Sequence, residues 1–193
     1  MLPESLSVTL QVVDVIERLG VRYAIGGSVA SALHGVIRAT IDANMVAELR
    51  LEDVEMFSDG LSRTFYLNED AIREAIDRRG HFNVIQLETM FKVDVFIPKD
   101  RAFDRSQLER RALHVISTEP KVSAYFCTAE DTILAKLDWY KLGGMVSERQ
   151  WRDVLGVIRV QGSRLDHDYL RRMAGTLGIL ELLETALGEA TKP

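Results

Sequence analysis

Residues 23–46 read YAIGGSVASALHGVIRATIDANMV, and their order decides the fold. Residues 21–25 are short and β-prone. Gly26 and Gly27 then turn the chain with no Cβ to obstruct a close approach. Residues 28–33 predict a small helix. His34 and Gly35 close it, the first suited to the negative end of a helix dipole and the second free to take positive φ. Residues 40–46 predict a second strand. Side chains two apart on a strand share a face, so Asp42 and Asn44 point one way while Ile41, Ala43 and Met45 point the other. The order places free helix amides suited to a phosphate next to oxygen ligands suited to a divalent cation.

Working outward, residues 3–19 predict a helix, with Leu6, Leu10, Val13 and Ile16 near helical spacing and Gly20 as the stop. Helices follow at 51–58 and 69–79, the latter with Asn68 as N-cap. Residues 81–87 and 91–97 predict a hairpin joined at 88–90 and ended by Pro98. Residues 112–116 and 122–126 predict a further edge pair. Beyond Phe126 only helices are predicted, at 129–141, 148–160, 166–175 and 177–187. Thr128-x-x-Asp131 and Ser147-x-x-Gln150 resemble capping boxes that open the first two. The expectation is an α+β chain with a mixed α/β core over 1–127 and an all-helical C-terminal part over 128–193. Gly143-Gly144 is the flexible joint of that part.

Of the 193 residues, 47% are hydrophobic and 27% are charged, which are ordinary globular values. The net charge of -5 argues against a long nucleic-acid groove, but not against a small nucleotide whose charge is met locally. The single cysteine, Cys127, excludes an internal disulfide and suits a reducing compartment. It reads as a buried structural residue. No basic segment followed by an apolar run marks a secretory signal, and no uncharged stretch approaches the roughly 18 residues of a membrane span. A cytoplasmic protein with no membrane partner is expected. His34, His81, His114 and His167 lack metal-ligand spacing. There is no P-loop and no nucleophile elbow.

Asp94 lies in FKVDVFI, residues 91–97. Among such neighbours an ionised carboxylate is costly without a cation or good hydrogen bonds. It is the natural third ligand beside Asp42 and Asn44, with Lys92 or Arg101 as alternative partners. Arg38 is suited either to bidentate phosphate contact or to a surface acid. Lys136 flanks the stripe of Ile133, Leu134, Leu137 and Tyr140, and Asp153 flanks Trp151, Val154, Leu155 and Ile158. By position alone both read as solvated edge residues, Asp153 within reach of Arg149. Trp139, Tyr140 and Trp151 read as helix-packing residues.

Taken together, Gly26-Gly27-Ser28, His34-Gly35, Arg38, Thr40 and Asp42 resemble the nucleotidyltransferase superfamily related to DNA polymerase beta. The likeness is greatest to its small bacterial members: nucleotidyltransferase-like proteins, minimal nucleotidyltransferase antitoxins and type IV abortive-infection toxins. The resemblance implies a nucleotidyltransferase-like mixed sheet flanked by helices. It implies a nucleoside triphosphate such as ATP held by Gly26, Gly27, Ser28, Arg38, Thr40 and Lys136, and one or two Mg2+ ions on Asp42, Asn44 and Asp94. Asp42, Asp94, Lys136 and Asp153 would form the catalytic set.

Asn44 stands where the family pattern has its second carboxylate, and a carboxamide ligates without supplying charge. Two readings follow. In one, an acceptor hydroxyl (on an RNA end, a protein or a small molecule) attacks the α-phosphorus and pyrophosphate leaves. In the other, the chain is a catalytically degenerate nucleotide-binding or antitoxin-like regulatory module, with the helical C-terminal part as its surface for a partner protein. A bare scaffold is the third and weakest.

Overall fold

A computed structural model describes residues 3–35, 37 and 39–191. It begins with α1 (Glu4–Arg18), β1 (Tyr23–Gly26), α2 (Gly27–His34) and β2 (Asp42–Ala47). A 3-10 turn at Leu51–Asp53 leads into α3 (Val54–Leu61), then β3 (Phe65–Tyr66), α4 (Glu69–Arg78), β4 (His81–Gln86) and β5 (Lys92–Phe96). Next come α5 (Ala102–Glu109), β6 (Ala112–Thr118) and β7 (Lys121–Phe126). Four helices close the chain: α6 (Ala129–Leu142), α7 (Glu148–Gln161), α8 (His167–Leu177) and α9 (Leu180–Ala190).

The strands form one mixed seven-stranded sheet in the order β3-β4-β5-β2-β1-β7-β6. β1 runs antiparallel to β2, while β2 is parallel to β5 and β1 is parallel to β7. The expected hairpin is β4 and β5, paired antiparallel from His81↔Phe96 to Ile85↔Lys92. The expected edge pair is present, with β6 outermost and β7 as its inner member. β7 pairs with β1 at Ile25↔Phe126, and the Cys127 amide donates to the Ile25 carbonyl at 2.9 Å. A parallel partner so distant along the chain leaves no local signal, whereas the tight turn joining β6 to β7 does.

Two elements were not foreseen. β3 has two residues, too few to show a period. α5 buries Asp104 and Gln107 beside Phe103 and Leu108, so polar residues interrupt the apolar stripe that would announce a helix.

Strand alternation separates the sheet's faces. Ala43, Met45, Ala47, Val93 and Val95 join Val12, Ile16, Val54, Phe57, Leu61 and Ile72 in the larger hydrophobic cluster, which seats α1, α3 and α4. A second cluster joins Phe103 of α5 to Ile133, Leu134, Leu137, Val154, Leu170 and Leu183 of the C-terminal helices. α2 links the two. Its C-terminal Gly35 lies against the Val157 backbone, where an added Cβ would come within 2.9 Å of Val157 Cα. Three caps fall where expected: Asn68 accepts from the Ala71 amide, Thr128 from the Asp131 amide and Ser147 from the Gln150 amide. The Thr128 hydroxyl also donates to Asp131 Oδ2 at 2.9 Å. Among the described residues no helix is long and apolar enough to cross a membrane.

Candidate functional site

The site is built where β1 gives way to α2. Gly27 begins the helix at φ +57°, in the left-handed region. A Cβ there would sit 2.3 Å from Asn44 Oδ1, so the second glycine exists to let the Asn44 carboxamide lie against the turn. Ser28 follows, buried, and the Ser31 hydroxyl donates to the Gly27 carbonyl at 2.9 Å.

Register then fixes the neighbours. Gly26 pairs with Asn44, Asn44 with Asp94, and Asp94 with Asn83, so one row crosses β1, β2, β5 and β4. Two residues earlier along the two parallel strands, and so on the same face, Asp42 pairs with Lys92. The Thr40 hydroxyl is shared between Asp42 O at 2.8 Å and Asp42 Oδ1 at 3.0 Å. Lys92 shares a face of β5 with Asp94, and its ammonium lies 2.9 Å from Asp94 Oδ2. Of the alternatives weighed for Asp94, the lysine partner is the one present.

This face forms the floor of a cavity of about 490 Å³. Gly26, Gly27, Ser28, Asp42, Asn44, Asp94 and Lys136 all line it. Two residues singled out in the sequence do not. Thr40 lies on a neighbouring hollow and touches the site through Asp42, and Asp153 stands behind Lys136, with Oδ2 2.8 Å from its ammonium. Both members of that pair are almost fully buried, rather than solvated at a stripe edge. Arg38 lies outside the described residues.

The rest of the wall was not anticipated. Cationic residues lining the cavity are Arg79, Lys92, Lys99, Arg101, Lys136 and Arg149, against four carboxylates: Asp42, Asp94, Asp104 and Asp138. Arg101 ties the unforeseen α5 to α6, donating to Asp104 Oδ2 at 2.5 Å and Asp138 Oδ2 at 3.0 Å. One side is aromatic. His81 stacks on Phe96 with centroids 5.1 Å apart, and Phe96 meets Trp139 edge-on at 5.5 Å. Trp139, read from sequence as a packing residue, is 48% exposed and lines the cavity. Lys92 was legible, since a residue two positions from Asp94 shares its strand face. Arg101 was not, because nothing in the sequence brings its loop to α6.

Around the site, burial controls two side chains that hold the turn in place. His34 Nε2 is 2.7 Å from the Cys127 carbonyl, which only accepts, so Nε2 carries the proton. Desolvation, with His114 nearby, lowers the His34 pKa below the ordinary histidine value. Desolvation raises the Cys127 thiol far above the range of a reactive cysteine.

With this geometry in view, comparison with known proteins gives one kind of match. No family model matches the chain, and no curated protein does. Among solved structures, the antigenic nucleotidyltransferase-like protein from Paracoccidioides brasiliensis superposes with a TM-score of 0.50 at 17% identity, over 93% of this chain and 91% of that one. The antibiotic-resistance factor ANT(2'')-Ia superposes with a TM-score of 0.52 at 14% identity, over 95% and 92%. The chain therefore has a nucleotidyltransferase-like fold over nearly its whole length.

The magnesium implied by the sequence resemblance can be tested against this donor set. Mg2+ takes octahedral oxygen ligands, through one or two carboxylates and substrate phosphates. Here Asp94 is flanked in its row by two neutral carboxamides, Asn44 and Asn83, and its carboxylate already holds an ammonium. Among the described residues no group of three or more His, Cys, Asp or Glu side chains is placed to hold a metal ion. Asp42 and Asp94 supply two carboxylates for one such ion only if Lys92 gives up Asp94, and the carboxamides add no negative charge toward a second.

Proposed function

We propose that this chain is a nucleotide-binding module on a nucleotidyltransferase fold, and that it holds a nucleoside triphosphate without transferring it. The phosphates would lie on the Gly26-Gly27-Ser28 turn, with the base toward Phe96 and Trp139. The observation that carries the reading is the meeting of that turn with Asp42, Asn44, Asp94 and Lys136 around one cavity. The cations on the cavity wall suit a polyanion, and the volume suits a small ligand. Asn44 and the Lys92–Asp94 pair weigh against transfer, because two-metal chemistry needs carboxylates free to hold ions at the attacking and leaving oxygens.

The reading includes a nucleotidyltransferase-like core over 1–127 and a helical part over 128–193, in a cytoplasmic chain. The helical part would meet a partner protein, as in the antitoxin branch. Thermal denaturation with ATP, CTP, GTP and UTP tests the binding, since a ligand selective for the folded state raises its melting temperature. At least one should raise it in the native chain and fail to do so in Gly27→Ala. No rise with any of them overturns the proposal. Label from an α-labelled triphosphate should not pass to RNA or protein; transfer that disappears in Asp94→Ala would instead establish a transferase.

A further inference from the structure

We infer that Lys92 supplies the counter-charge at this site, so that the cavity binds a nucleotide polyphosphate without a divalent cation. The inference rests on the nucleotide-binding reading and names how the phosphates are neutralised. Asp42, Lys92 and Asp94 are neighbours on the cavity face of β2 and β5, and the ammonium is 2.9 Å from Asp94 Oδ2. That face carries two negative charges and one positive, where a metal-binding version would carry only carboxylates. Asn44 and Asn83 flank Asp94 with groups that both donate and accept, so they can hydrogen-bond a phosphate oxygen that a carboxylate would repel.

Lys92 has the freedom this role needs. It is 41% exposed as a side chain, whereas Asp94 is 11% exposed. Its exposed end can meet an incoming phosphate while the ammonium stays beside Asp94, whose buried carboxylate is costly to leave without a cation. A divalent ion, by contrast, would have to displace the ammonium from Asp94 and remain close to it. Six cations against four carboxylates on the cavity wall offset part of a polyphosphate's charge without magnesium.

Isothermal titration with ATP and with inorganic tripolyphosphate, each in EDTA and in magnesium chloride, tests this. The native chain should bind in EDTA with a Kd within about threefold of that in magnesium or tighter. Lys92→Met should weaken binding in EDTA at least tenfold, and magnesium should restore part of the loss by occupying the released Asp94. Asp94→Asn, which frees Lys92, should tighten binding in EDTA. This variant keeps the test decisive if Lys92→Met does not fold. Native binding at least tenfold weaker in EDTA, or a Lys92→Met chain that binds in EDTA as the native chain does, overturns this inference and leaves the nucleotide-binding reading standing. Failure to bind either ligand in both buffers overturns both.

Discussion

At Gly27 the backbone sits in the left-handed region and its missing Cβ is replaced by the Asn44 carboxamide. An alanine there must accept an unfavourable φ and displace Asn44 at once. Gly27→Ala should destabilise the chain by about 2 kcal/mol in urea denaturation, combining the left-handed penalty with overpacking. The buried Lys136–Asp153 pair makes a different demand, since each charge is tolerated because of the other. Lys136→Ala should cost about 3–5 kcal/mol, while replacing both by apolar residues of similar size should recover most of it. A double-mutant cycle by chemical denaturation separates the two.

His34 adds a pH term. Its folded pKa is lowered by burial, so below the ordinary value of about 6.5 the unfolded chain takes up the proton first. Stability is full above that value and falls as pH drops from it toward the folded pKa. His34→Gln, which keeps a donor for Cys127, should flatten stability measured by urea titration on the acid side of about pH 6.5.

Among the elements, those with strong local signals were legible in the sequence. β4 and β5 have alternating patterns and a short turn between them. α1, α4 and α6 have stops or caps within two residues of their observed ends. What could not be read was decided by distant partners. β7 is interior because β1 reaches it across most of the core, and α5 forms around buried Asp104, whose partner Arg101 is fixed in turn by Asp138 of α6. The same divide runs through the site. Asp42, Asn44 and Lys92 follow from strand period alone, but the Asn83–Asp94–Asn44–Gly26 row needs the strand order. Arg79, Lys99 and Arg149 line the cavity only because three separate elements end near it. At this scale Thr128→Ala should cost about 1 kcal/mol by removing the α6 cap, read as a lowered denaturation midpoint.

The whole molecule is acidic, yet its cavity wall carries more cations than carboxylates. Net charge therefore says little about what the chain attracts at that one place. Both tryptophans, Trp139 and Trp151, lie in the C-terminal helices, which makes cooperativity measurable. α2 wedges between the sheet and α6–α7, and Gly35 touches the Val157 backbone. Tryptophan fluorescence and far-UV circular dichroism should accordingly report one coincident unfolding transition. A fluorescence midpoint at lower urea would mean that the helices come apart first.

The pairing of Ile25 with Phe126 also sets a schedule for synthesis. Chains emerge from the ribosome N-terminus first, so β1 spends most of translation with one edge bare. The cavity closes later still, because its wall extends from Gly26 to Gln150. A nascent chain thus exposes an unprotected sheet edge well before the pocket is complete.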